Sequence, residues 1–330
     1  MLRKQFSTAF LLWCLIFMSQ QIHAGEPIRI GWVNAMANTP VLIGHQLGYF
    51  KQNGLNVELR RFNSGPLIKR ALEAGDLDVG YVGMPPVYHA YASGMDLKII
   101  AKVNYGQAAL IAGKNSNIKT LADLKGKRIA GVRKGSGMDV LLRAFVLKDQ
   151  AKLDPEHDVK IIHMRTNMMD ASIDHGVVDA AFSWEPYVSQ AVLGGHADVL
   201  LDIHKVIPHY PWYVIAATKK ARAEKRAELI KLLKAHKQAV KYLNSSQSAG
   251  NELIKEVFRL GRLVHYTGES VTADQIVEHA RMRLGWQAEF MNQDKQFLQK
   301  LMDYSYQLGF IHKKLNADEL IDYSIIKAAR

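Results

Sequence analysis

The feature that most constrains this chain is an internal repeat. AGDLDVGYVGMPPVYHAYASG (Ala74 to Gly94) lies over HGVVDAAFSWEPYVSQAVLGG (His175 to Gly195) without a gap, at an offset of 101 residues (176 − 75). Gly75 falls on Gly176, Asp78 on Asp179, Tyr81 on Phe182, Pro85 on Pro186 and Gly94 on Gly195. The preceding segments keep the same register, with VELRRFNSGPLIKRALE over DVKIIHMRTNMMDASID. Identity is low, and part of the match is the ordinary grammar of strand followed by helix. Equal spacing through both blocks nevertheless predicts two lobes of similar βαβαβ build.

Hydrophobic periodicity agrees with that reading. IRIGWV, LNVELRRF, DVGYVG and LKIIAKV read as strands, and PVLIGHQLGYFKQ, PLIKRALEA and PPVYHAYAS as the helices between them. Strand–helix–strand order implies mainly parallel sheets with right-handed crossovers, an α/β class. From about Ala221 onward the pattern turns helical. Tyr105-Gly106-Gln107 and Tyr210-Pro211-Trp212 sit where the chain would leave and re-enter the first lobe. Residues 25–105 with 215–330 are therefore expected to form lobe 1, and residues 106–214 lobe 2. Two connecting strands make a hinge, and the cleft between the lobes becomes the expected site.

The first residues, MLRKQFSTAFLLWCLIFMSQQIHA, have a basic start at Arg3 and Lys4, an apolar run from Phe6 to Met18 and a small residue, Ala24, at a cut position. This is the grammar of a secretory signal peptide over residues 1–24. The run is too short to span a bilayer comfortably, which takes about 20 apolar residues. A periplasmic location follows as the expectation. Cys14, the only cysteine, lies inside this segment after Trp13, where a lipid-attachment site would want a small residue. The mature chain is expected to have no disulfide and no cysteine metal ligand.

The formal charge is +12, and losing Arg3 and Lys4 leaves +10 (12 − 2). Such a balance suits nucleic acid, a membrane surface or small anions, and export argues against nucleic acid. The densest basic stretch, Lys219 to Lys241, carries apolar residues at helical spacing and reads as a solvated helix face.

The helix starts share a chemistry. Thr39-Pro40, Ser64-Gly65-Pro66, Pro85-Pro86, Gly135-Ser136-Gly137, Thr166-Asn167 and Glu185-Pro186 each place a capping residue, glycine or proline where a first turn opens. In parallel sheets these starts gather at the carboxyl edge of the strands, and their free N–H groups suit an anion. Each start alone reads as an ordinary cap; the set, on two repeated lobes facing one gap, favours a ligand. Trp184 ends a strand and is expected to wall the cleft. Glu185 either caps its own helix or faces the ligand. Met36, Met84, Met138, Met168 and Met169 fall in strand-to-helix turns, where several would give an adaptable apolar lining.

IRIGWV, GHQLGYFKQNGLNVEL, AGDLDVGYVG, TLADLKGKRIAGVRKGSGMDVLLRAFV and DAAFSWEPYVSQA, in that order and spacing, resemble the substrate-binding proteins of ABC importers for alkanesulfonates, taurine and nitrate, including the pyrimidine-precursor binders. The resemblance covers most of the mature chain. It implies the two-lobed periplasmic binding protein fold of type II, with a two-strand hinge and a helical C-terminal part. It also implies a monomer without cofactor that clamps a small organic anion and delivers it to permease subunits. Carried over residue by residue, it puts first-lobe contacts at Met36, Asn38, Thr39, Ser64, Gly65, Met84 and Pro85. Second-lobe contacts fall at Ser136, Gly137, Asn167, Trp184 and Glu185. A sulfonate or taurine-like solute is the leading expectation, with a pyrimidine precursor or nitrate as the alternative. An enzyme of pyrimidine synthesis on the same fold, or a sensory protein, is the alternative class. Scattered histidines such as His45, His89 and His163, with no H-E-x-x-H, G-x-S-x-G or P-loop pattern, argue against an enzyme.

Overall fold

A computed structural model describes residues 26–329 except 209, 262 and 265–267. The expected signal peptide lies outside the described residues. Four strands open the chain, β1 (Ile28–Val33), β2 (Val57–Phe62), β3 (Val79–Gly83) and β4 (Leu97–Lys102). A short strand, β5 (Asn104–Gly106), precedes β6 (Ala108–Gly113), β7 (Arg128–Gly131), β8 (Lys160–His163), β9 (Ala180–Trp184) and β10 (Ala197–Asp202). The eleventh, β11 (Tyr213–Thr218), returns to the first group.

These strands make two five-stranded sheets, ordered β2-β1-β3-β11-β4 and β10-β6-β9-β7-β8. Reversed, the second order is β8-β7-β9-β6-β10, so the sheets have the same topology with β6 in the place of β11. In each sheet that one strand runs antiparallel to its neighbours. The reason is geometric. Parallel strands end at the edge that faces the other lobe, so a strand arriving from that lobe must start there and run the opposite way.

The repeat persists in side-chain detail. Asp78 Oδ2 accepts from the backbone N–H of Arg29 at 2.9 Å, and Asp78 Oδ1 takes the guanidinium at 2.8 Å. Asp179 does the same to Arg128, at 2.7 Å for both contacts. Each aspartate ties the start of a central strand to the strand beside it. The acidic lead-in of both repeats is thus a structural lock. Gly75 and Gly176 have φ of +79° and +63°, Gly94 and Gly195 +92° and +83°, left-handed turns that favour glycine at these matched positions.

Helices cover both faces of the central strands, which is why β1 and β3 read as nearly continuous apolar runs: Ile28, Ile30, Val79 and Tyr81 are fully buried. The helix Arg226–Ser245 lays Leu229, Leu232, Leu233 and Leu243 on the core, while Lys234 and Lys241 are exposed. The basic stretch is a solvated face. Beyond it, the helix Asn292–Gln307 bridges the lobes, with Tyr88 Oη 2.8 Å from Ser305 Oγ on one side and the Tyr304 hydroxyl donating to Asp149 on the other.

The two crossings pair with each other. Gly106 N–H donates to Tyr210 O at 3.0 Å, Tyr210 Oη accepts from Ala108 N–H at 2.9 Å, and Asn104 Oδ1 accepts from Tyr213 N–H at 2.8 Å. A third segment joins them: the strand Leu284–Trp286 runs antiparallel to β5. Sequence periodicity anticipates the first two segments and misses the third, which is too short to carry a pattern.

Candidate ligand-binding cleft

The carboxyl ends of the parallel strands open into a cleft of about 1190 Å³ between the two sheets. The helix Gly65–Glu73 starts on its wall at Ser64, Gly65 and Pro66. Ser64 is extended (φ −162°) and its side chain makes no capping bond, so its hydroxyl is not consumed by its own helix. Across the gap, Ser136 caps the helix start at Gly137 by accepting from Asp139 N–H at 3.3 Å. Pro85, Thr166, Asn167 and Trp184 complete the walls that the sequence led us to expect.

The lobes touch at one side of this gap. A Cβ on Gly137 would meet Pro85 Cγ at 2.4 Å and the Trp212 ring at 3.3 Å, and one on Gly135 would lie 3.8 Å from the Phe310 ring. Only a glycine lets the second-lobe helix start come this near.

Several expected residues point elsewhere. Met36, Asn38, Thr39 and Met84 are fully buried and do not line the cleft. Asn38 donates to Val33 O at 2.8 Å and reaches Tyr81 O, fastening the ends of β1 and β3; the Thr39 hydroxyl donates back to Met36 O at 2.6 Å. The turn after β1 puts Asn34 and Ala35 on the wall, and its following side chains turn inward to fill the core beneath it. Of the other methionines, Met138 lines the cleft, Met169 is buried and Met168 is exposed.

Glu185 also turns inward. Its Oε2 accepts from Ser189 N–H at 3.1 Å and from Ser189 Oγ at 2.6 Å, within the start of its own helix. Oε1 meets Arg283 Nη1 at 3.1 Å, and Arg283 Nε stands 3.3 Å from Asp202. Complete burial pushes the Glu185 carboxyl up to about 7, against the pull of Ser189 and Arg283. Glu185 N–H donates to Gln107 O at 3.0 Å, so this network sits directly beneath the hinge. Trp184 and Glu185, adjacent in sequence, therefore face opposite ways, as consecutive residues leaving a strand do.

Other wall residues escaped sequence reading. Lys69, Arg133, Lys134, Arg165 and Lys313 bring cations to the cleft from both lobes and the C-terminal part. Lys69 pairs with Glu73 at 2.5 Å and Lys134 with Glu156 at 3.5 Å, while Arg133, Arg165 and Lys313 have no acidic partner within 4 Å among the described residues. None of the described lining residues is Asp or Glu. Arg133 and Lys134 stand beside the expected Gly-Ser-Gly start and were within reach of a sequence argument. Phe310, His312 and Lys313 follow a C-terminal helix and lie far away in sequence. Burial lowers His89 to about 4, so it is neutral, and its Nε2 is buried in the cleft wall without a hydrogen-bond partner.

Two matched α/β lobes, a paired-strand hinge and a cation-lined cleft at the strand ends define a bilobal ligand-binding protein. The NMT1-like family model matches residues 24–257, and the chain belongs to that family. A provisionally named aliphatic sulfonates-binding protein of Bacillus subtilis (strain 168) is 28% identical over 311 residues, which is 92% of this chain and 88% of that one. The taurine-binding periplasmic protein of Escherichia coli (strain K12) is 29% identical over 187 residues, 56% of each chain. Among solved structures, the periplasmic aliphatic sulphonate binding protein of Escherichia coli superposes with a TM-score of 0.76 at 24% identity. The match covers 90% of this chain and 92% of that one. The fold is that of the periplasmic binding proteins, as the resemblance implied.

Proposed function

We propose that this chain is the periplasmic solute-binding component of an ABC importer, clamping a small organic oxyanion between its lobes and presenting it to permease subunits. The observation that carries this reading is the cleft itself: cations from both lobes, hydroxyl-bearing helix starts, and no acidic side chain among the described lining residues. Cations and helix N-termini attract an anion, and a carboxylate in the wall would repel it. The sulfonate- and taurine-binding names of the relatives point to the same solute chemistry. Ser64, Gly65, Pro85, Ser136, Gly137, Asn167 and Trp184 are the contacts in this reading, with Arg133 and Arg165 supplying charge at the rim. The hinge separates residues 25–105 with 215–330 from residues 106–214, and the mature chain begins after about Ala24 as an exported monomer.

Isothermal titration of the mature chain, stripped of bound solute by unfolding and refolding, against alkanesulfonates, taurine, nitrate and pyrimidine alcohols tests this. Saturable binding of an organic oxyanion is the expected result. Binding of a pyrimidine alcohol alone, or of no anion at all, would overturn it.

A further inference from the structure

The cleft carries information about the solute beyond its charge. Its volume, about 1190 Å³, is far more than nitrate or a two-carbon sulfonate fills. The lobes meet at Pro85 and Gly137 on one side of this space, and the other side is open to solvent. Its rings come from three parts of the chain: Trp184 and Tyr187 from lobe 2, Trp212 and Tyr213 from the hinge, and Phe310 from the C-terminal segment. Trp184 and Tyr187 stand edge to face, centroids 6.4 Å apart at 73°, leaving ring surface on a shared wall. Trp184, Tyr187 and Phe310 are only partly buried, unlike the core aromatics Tyr81 and Tyr88.

The polar groups narrow the choice further. The ammonium group of a zwitterion such as taurine is best met by a carboxylate, and the cations of this wall oppose what the ring faces alone could give it. The two acids adjacent in sequence to the wall, Asp139 and Glu185, are buried with both oxygens already engaged: Asp139 by Gly135 N–H and Arg143, Glu185 by Arg283 and Ser189. The cationic partners that remain would repel an ammonium group.

We infer that the solute is an aromatic organic anion without an amine, an arene bearing a single oxyanion head such as a sulfonate. The ring lies among Trp184, Tyr187 and Phe310, and the head meets the cations and the helix starts. Offset or edge-to-face ring contacts supply selectivity that an alkyl chain cannot match.

This inference rests on the oxyanion-binding reading, and the test separates the two. Naphthalene-2-sulfonate, 2-naphthoate, ethanesulfonate and taurine are titrated into the mature chain by calorimetry. Naphthalene-2-sulfonate is expected to bind about tenfold tighter than ethanesulfonate, as one or two ring contacts would give. Taurine should bind no better than ethanesulfonate. The naphthoate arm reports whether the head must be a sulfonate; binding of either naphthalene anion at that margin supports the inference. Ethanesulfonate or taurine binding as tightly as both naphthalene anions would overturn the inference and leave the oxyanion-binding reading standing. Absence of binding by all four to folded protein would overturn both. As a second measurement, Phe310→Ala should shrink the naphthalenesulfonate-to-ethanesulfonate ratio at least threefold, on the scale of one ring contact. An unchanged ratio in that variant would remove Phe310 from the ring site.

Discussion

Gly137 and Pro85, on opposite lobes, approach so closely that a Cβ on the glycine would stand 2.4 Å from the proline Cγ. The contact joins the start of one lobe's helix to the start of the other's. It sits at the edge of the cleft and sets how near the lobes can come.

Gly137→Ala should therefore hold the lobes apart without disturbing either core. Overpacking of this kind costs about 1–3 kcal/mol, here charged to the closed arrangement. Solute affinity is expected to fall about tenfold while the thermal midpoint of solute-free protein stays within a few degrees. Titration with the bound solute and small-angle scattering would check it, and wild-type affinity in a well-folded variant would refute the contact.

Trp184→Ala should abolish tight binding. The ring is partly exposed on the cleft wall and also rests on the core, so a modest loss of stability accompanies the change. Loss of a ring contact costs about 0.5–1.5 kcal/mol beyond the buried area. Unchanged affinity by titration would show that the ring serves packing alone.

Lys102 and Asp294 form an ion pair of 2.7 Å with neither side chain exposed. Lys102 ends β4 at the hinge, and Asp294 also accepts from Met291 N–H at 2.7 Å at the start of the bridging helix. Asp294→Ala takes the carboxylate from a buried ammonium that also donates to Gln287 Oε1 at 2.9 Å, and should cost about 3–5 kcal/mol in urea unfolding. Adding Lys102→Met to that variant should restore most of the loss, because the buried charge is gone. A double variant no more stable than Asp294→Ala would contradict this account.

Glu185 makes stability depend on pH in a definite direction. Its folded carboxyl sits near 7, above the ordinary value of 4.5, because burial disfavours the charged form. Between those values the folded chain holds a proton that the unfolded chain has released, so this group's contribution falls as pH rises from about 4.5 to 7. Glu185→Gln removes the titration; it keeps one carbonyl acceptor, enough for Ser189 or for Arg283, and puts an NH2 donor in the other oxygen's place, a pH-independent offset. The variant should gain on the wild type by about 2–3 kcal/mol between pH 5 and pH 8, at roughly 1.4 kcal/mol for each pH unit. Urea midpoints that change in parallel with pH would refute the assignment.

The repeat offset already located both central strands, the glycine turns and the matched aspartates, because the turns are local and every lobe of this build must keep the same alternation. That each aspartate holds an arginine of the neighbouring strand, Arg29 or Arg128, came only from the tertiary structure. The helix starts at Ser64, Ser136 and Asn167 were legible for the same reason: caps are local chemistry, and parallel strands send them to one edge. Tertiary structure alone decided the direction of individual side chains. Trp184 reaches the cleft while Glu185 dives under the hinge to Arg283, whose position is set by a strand far along the chain. Met36, Asn38, Thr39 and Met84 went into the core because the layer behind the wall needed filling. Phe310 and Lys313 reached the site because the bridging helix carries them across both lobes. Local propensity fixes where an element starts; which side chain faces the gap depends on what distant chain has already filled.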